Sequence, residues 1–228
     1  DINISGQGGG TGASARNQGV KLATGGVISS TNVGNVNVIG TGGHSSGDNN
    51  YGVSVDSAGV ITSTGSGNVN VIGTGGNGSG DYNYGVFVEN EDSTITSTAG
   101  DINISGQGGG TGASARNHGV YVKQEGVIEA GSQGSVTIAG TGGTSTGNFN
   151  VGVLIADANS RITSSGGNVI VTGHGGGTGT SSYNRGVMIE QGGLLTATGA
   201  GTVTVNGTGG HGSGDWNHGM SLSGSNSQ

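Results

Sequence analysis

Residues 35–67 read NVNVIGTGGHSSGDNNYGVSVDSAGVITSTGSG, and residues 68–100 continue as NVNVIGTGGNGSGDYNYGVFVENEDSTITSTAG. Each stretch holds three short alternating segments, which in the first are Asn35-Val36-Asn37-Val38, Val53-Ser54-Val55 and Val60-Ile61-Thr62-Ser63-Thr64. A Gly/Thr/Ser loop and an Asn-x-Gly step separate the first segment from the second, and a small-residue turn separates the second from the third. Alternation of apolar and polar residues over four to five positions, rich in Val, Ile and Thr, is the signal of a half-buried strand. Helical periodicity appears nowhere, and the density of Gly opposes it. The reading is all-β.

The same grammar runs outward in both directions. Seven units can be laid under one another, 1–34, 35–67, 68–100, 101–134, 135–167, 168–201 and a shorter 202–228, and DINISGQGGGTGASARN at 1–17 recurs unchanged at 101–117. Three strands in about 33 residues cannot enclose a core of their own, whereas stacked units bury a continuous one. The pattern therefore predicts a single parallel β-helix of about seven coils, three strands per coil, rising about 4.8 Å per rung. Its inward ladders are expected from Ile2/Ile4 through Val36/Val38 to Val203/Val205 on the first side. The second side is expected to run from Val20/Leu22 to Met220/Leu222, and the third to carry Ile28, Ile61, Ile95, Ile128, Ile162 and Leu195.

Composition fits this plan. The chain has 57 Gly in 228 residues, no Pro and no Cys, with 8% charged residues and a net charge of -7. Aperiodic Gly-rich chains fail to bury enough apolar surface to fold, but here Gly is periodic and is expected at corners and loops that need positive φ. Without Cys there is no disulfide frame or Cys-based zinc site. Six Lys+Arg give no basic patch for nucleic acid, and no apolar run reaches the roughly 18–20 residues of a membrane span. The chain opens at Asp1, inside the pattern and without Met, as expected of a piece of something longer or a processed chain.

Several columns of residues carry chemistry. Asn returns before x-Gly in every unit, at Asn17, Asn50, Asn83, Asn117, Asn150, Asn184 and Asn217, and is expected to form a structural ladder of side-chain amides rather than a ligand array. The residue before it is Arg16, Asn49, Tyr82, Arg116, Phe149, Tyr183 or Trp216. Such an aromatic and Arg edge suits sugar stacking or protein contact, or else it covers loop backbone. The outward residue of the second strand is Phe87, Tyr121, Leu154 and Met188 in four consecutive units. That apolar stripe implies a lateral interface with a neighbouring chain, unless the long loop folds over it.

Metal and catalytic signals are weaker. Asp48, Asp81 and Asp215 sit in the loops, and GGNGSGD at 75–81 is similar to a calcium-binding nonapeptide with its Asp displaced by one. A hard cation wants six to eight oxygens, so calcium is carried only as a candidate and no cofactor is expected. GxGxxG at 73–78 and 207–212 precedes no helix, which dinucleotide binding requires. Acids are scattered except Glu89, Glu91 and Asp92, and the five His occupy positions that vary between units, so an enzyme acting on polysaccharide is not expected. Outward Thr62/Thr64, Thr96/Thr98 and Thr196/Thr198 would suit ice, but Glu129 and Gly131 interrupt that array.

The unit GNVNVIGTGG…NYGV…GVITSTGSG resembles the large repetitive β-helix exoproteins of bacteria, the filamentous-haemagglutinin-like and autotransporter-type adhesins. The resemblance covers all seven units. It implies a right-handed parallel β-helix secreted to the bacterial cell surface as a stalk, fibre or adhesive surface. The partners then expected are further repeats or another copy stacked end to end, and glycans or the surface of a host or neighbouring cell. A glycan-binding module using the aromatic/Arg edge is the alternative.

Overall fold

A computed structural model describes residues 1–228 as twenty strands without a helix. The strands fall into three parallel sheets. The first holds β1 (Ile2–Gln7), β4 (Val36–Thr41), β7 (Val69–Thr74), β10 (Ile102–Gln107), β13 (Val136–Thr141), β16 (Val169–His174) and β19 (Val203–Thr208). The second holds β2 (Val20–Leu22), β5 (Val53–Asp56), β8 (Val86–Glu89), β11 (Val120–Lys123), β14 (Val153–Ala156), β17 (Val187–Glu190) and β20 (Met220–Ser223). The third holds β3 (Val27–Ser30), β6 (Val60–Ser63), β9 (Thr94–Ser97), β12 (Val127–Ala130), β15 (Arg161–Ser164) and β18 (Leu194–Ala197). This is the β-solenoid of about seven coils, three strands each, that the repeats predict.

Register is one to one along the stack: Ile2 pairs with Val36, Val36 with Val69, Val69 with Ile102, and so on to Val203. Because side chains alternate faces, a slip of one residue would turn every inward Val and Ile to solvent. The inward residues form one cluster of 28 buried residues, all members of the expected ladders apart from Ala130. Seven expected members lie outside it. Ile2, Ile4 and Ile28 in the first coil and Val205 in the last are half-buried, and Val203, Met220 and Leu222 are exposed. The reason is geometric: a coil at either end of the stack has a neighbour on one side only.

The glycines correct a second expectation. Only ten of the 57 take positive φ, while nineteen residues other than Gly do. The dominant demand is proximity. Gly40 is the penultimate residue of the first strand and Gly52 precedes the second, and a Cβ added to Gly40 would lie 2.1 Å from the carbonyl oxygen of Gly52. The same clash recurs at Gly6, Gly73, Gly106, Gly140, Gly173 and Gly207, each against the paired Gly of its own coil. These paired glycines form a neck. The chain leaves the first sheet, makes the loop, and returns through the neck to the second sheet. The loops stack as the strands do, with Gly42 N–H donating to Thr74 O at 2.8 Å and Asn49 N–H to Asp81 O at 3.0 Å. Each coil is thus a three-sided core with a flat side lobe.

The neck makes a test that burial alone does not. Gly106→Ala, whose new methyl would meet the Gly119 carbonyl, is expected to lower unfolding free energy by at least about 3 kcal/mol, the upper range for overpacking. Gly9→Ala, with open space around it, should stay within about 0.5 kcal/mol of the parent. Urea unfolding followed by circular dichroism reads both.

Candidate functional site: the loop edge beside the second sheet

The side lobe is organised by the repeated Asn. Asn17 donates its backbone N–H and its Nδ2 to Asn50 Oδ1 at 3.1 and 2.9 Å. Asn83, Asn117, Asn150 and Asn184 each donate in the same two ways to the Asn above, while Asn50 gives its backbone N–H to Asn83 Oδ1 and turns its amide to Gly47 O. The ladder ends at Asn217, whose amide donates to Gly212 O and Gly214 O. Ser114 and Ser145 add hydroxyls around Asn117 at 2.9 and 3.3 Å. Five of the seven, from Asn50 to Asn184, are fully buried. A buried amide needs every partner it can find, and here the ladder supplies them.

The residue before each ladder Asn is left-handed. Arg16, Asn49, Tyr82, Arg116, Phe149, Tyr183 and Trp216 all have φ between 55° and 65°. This region is uncommon for bulky side chains, so the turn into the buried Asn imposes it. Sequence reasoning missed it because no Gly marks the position. These side chains form one column. Phe149 and Tyr183 stack with centroids 4.7 Å apart and planes 2° apart, and Tyr183 and Trp216 lie 6.2 Å and 7° apart. The Arg116 guanidinium sits between the Tyr82 and Phe149 rings, 5.6 and 5.7 Å from their centroids, and donates to the Tyr82 hydroxyl at 3.1 Å. The rings face one another along the solenoid, so the sugar-stacking platform expected here has its ring faces taken up by neighbours from Tyr82 to Tyr183, with Trp216 in the last coil stacked on one side only.

The residue after each Asn forms a second, deeper column. Tyr51, Tyr84 and His118 stack at 5.0 and 5.1 Å with planes 7° and 8° apart. Val151 and Arg185 continue the column and are buried. This column lies on the outward residues of the second sheet: Tyr84 contacts Phe87 at 5.0 Å, and His118 meets Tyr121 edge-on at 5.1 Å. Phe87, Leu154 and Met188 are buried and Tyr121 is half-buried. The lateral interface expected at these four residues is therefore corrected. The loop's own aromatic column covers the stripe, and Val151, Leu154, Ala156 and Met188 form a second apolar cluster outside the main core.

Electrostatics follow from that cover. Burial, reinforced by Arg116, pushes the His118 imidazole down to about 3, so it is neutral and its Nδ1 accepts the Val151 N–H at 3.2 Å. Burial raises the phenols of Tyr51, Tyr84 and Tyr121, and burial first, then Asp157, raises the Glu190 carboxyl against the opposing pull of Arg185. A groove of about 260 Å³ remains over the cover, with Tyr82, Arg116, Lys123, Phe149 and Glu190 on its walls. Lys123 is paired with Glu89 at 2.8 Å.

The acidic candidates do not converge. Asp48 Oδ1 accepts the Asp81 N–H at 2.8 Å, and Asp81 Oδ1 accepts the Ala115 N–H at 2.7 Å. Asp215 is exposed in the last coil, and no group of three His, Asp or Glu forms a metal-sized cluster. On the third sheet Thr96 donates to Thr62 at 2.9 Å, and the interrupting Glu129 pairs with Arg161 at 3.1 Å. No family model, curated protein or solved structure matches the chain.

Two measurements probe this edge. Asn117→Ala strands two buried donors of Asn83 and should destabilise by about 2–6 kcal/mol at roughly 1–3 kcal/mol per orphaned donor. Asn217→Ala, at the open end, should cost less in the same denaturation assay. His118 holds a folded pKa far below its unfolded value near 6.5. Its contribution is complete above pH 6.5 and is lost as pH falls towards 3, at about 1.4 kcal/mol per pH unit. His118→Phe should flatten the stability profile over that window, read from unfolding free energies at each pH.

Proposed function

We propose that this chain is a structural, non-enzymatic shaft, a length of extracellular β-solenoid fibre displayed on a bacterial surface. The observation that supports it best is the unbroken one-to-one register of all three sheets from coil to coil. A rod built this way lengthens by about 4.8 Å for each added coil and needs only another coil to cover each end. The end coils carry the ladder onward: Val203, Met220 and Leu222 are 43%, 46% and 55% exposed although they continue the buried columns below them. Further coils, of the same chain or of another copy, would bury them. Exposed strand ends template such addition.

The adhesin-type resemblance of the repeat unit points the same way, towards a stalk or an adhesive surface outside the cell. The glycan-binding alternative has less to rest on, because the rings of Phe149 and Tyr183 spend their faces on each other. Their edges and the Arg116 guanidinium remain for contact with a host or neighbouring cell.

Negative-stain electron microscopy tests the shaft. Rods of constant width are expected, with lengths clustering at multiples of one chain, about 34 Å for seven coils at 4.8 Å. A variant carrying Met220→Lys and Leu222→Lys should leave single-chain lengths only. Compact particles with no axial multiples in the parent would speak against end-to-end stacking.

A further inference from the structure

With the second sheet covered by its own loop and the third carrying Glu129 and Arg161, the first sheet is the face left bare. Its strands are the longest, six residues each over seven coils. None of their outward residues is Asp, Glu, Lys or Arg, in a chain with a net charge of -7. Two large apolar side chains stand on it side by side: Ile39 and Ile72 are 48% and 47% exposed and adjacent in register. The next two residues of that column are small, Ser105 and Ala139, so an apolar ridge stands beside a hollow. The hollow is lined by Ile72, Asn103, Ser105 and Thr137.

We propose that the first sheet is a self-docking face, on which a second copy of this chain packs with its solenoid axis reversed. The two-fold axis runs parallel to the strands and passes between the third and fourth coils. It sets Ile72 of one copy over Ser105 of the other and Ile39 over Ala139, ridge into hollow, in an isologous contact. It also sets Asn70 opposite Asn103. Within one chain these amides form a column, Asn103 Nδ2 to Asn70 Oδ1 at 3.0 Å and Asn70 Nδ2 to Asn37 Oδ1 at 2.8 Å. Each therefore uses one N–H and keeps a second for the partner.

Charge argues for a copy of the same chain and for this direction. Two chains of net charge -7 repel wherever their acids meet, and this sheet is where they do not. The acids at its rim, Asp1 and Asp101, open the first and fourth units. In the reversed register they face Asn168 and Asn68 of the partner rather than another acid. A copy docked with its axis in the same direction would reverse the strands instead and set the Asn column against the Ile ridge. Six overlapping coils cover roughly 600 Å² on each copy at ~4.8 Å per rung and ~3.3 Å per residue. The total of ~1,200 Å² lies at the lower edge of stable interfaces, so a dimer of moderate affinity is expected. Lateral pairing does not depend on end-to-end stacking.

Sedimentation equilibrium up to about 100 µM, the range a contact of this size requires, should show twice the chain mass. Ile72→Lys, an exposed position that leaves the core untouched, should raise the dissociation constant at least tenfold by placing a charge on the face. Met220→Lys with Leu222→Lys should leave the dimer intact, which separates this contact from end stacking. Direction is read by cross-linking, since the parent has no Cys. Chains carrying Ile39→Cys and chains carrying Ala139→Cys, treated with a short bis-maleimide, should give a covalent dimer when mixed and little when kept apart, because like positions lie three rungs, about 14 Å, out of register. A monomer throughout, an unaltered dimer in Ile72→Lys, or equal cross-linking in the unmixed Ile39→Cys sample would each overturn the proposal.

Discussion

At each coil's neck a glycine of the first strand lies too close to its paired glycine to carry a Cβ, and that partner is closed off in turn by the backbone of the next coil. Gly40 and Gly52, with their counterparts in the other coils, hold the first and second strands together at the base of the loop. Without that approach the loop would be an open excursion over solvent. With it, the loop's two arms lie flat, its backbone pairs with the loops above and below, and the Asn side chain is carried into a buried position. The neck is a steric condition, and everything in the side lobe inherits its spacing from it.

The lobe then does what the sparse core cannot do alone. The inward cluster is built largely from Val and Ile, and a chain with 29% hydrophobic residues has little else to bury. Tyr51, Tyr84, His118, Val151 and Arg185 fold back across Phe87, Tyr121, Leu154 and Met188, adding a second apolar layer outside the first sheet-lined core. The second sheet separates the two layers, and in the lobe beside it runs the Asn ladder, whose amides satisfy backbone N–H groups that would otherwise be orphaned in the interior. Each buried donor left unpaired would cost about 1–3 kcal/mol, so the polar column is the condition for burying the loop's inner turn.

Much of this was legible in the sequence, and the rest was hidden for physical reasons. Strand positions and ladder residues such as Val71, Ile95 and Val153 could be read because a period of two on a stacked repeat leaves one solution. The Asn ladder was legible because a residue needed in every rung is architectural. The fate of Phe87 and Leu154 was not, since alternation says that a side chain leaves the core and nothing about which loop lies over it. Nor was the left-handed turn at Tyr82 or Trp216 visible, because the clue sought is Gly and the chain spends its glycines on close approach instead. The column of Arg16, Tyr82 and Trp216 was found, but the direction its rings face was not, and direction decides what such a column can hold.

The left-handed residue before each Asn has a wider implication. Its backbone is fixed by its neighbours, and its side chain stays exposed or half-buried, so Arg, Asn, Tyr, Phe and Trp all occupy the same place in different coils. Each coil therefore offers one interchangeable position at constant spacing along the rod. A row of that kind can be rewritten letter by letter while the fold stays as it is. Variation between copies of this repeat should accumulate there first.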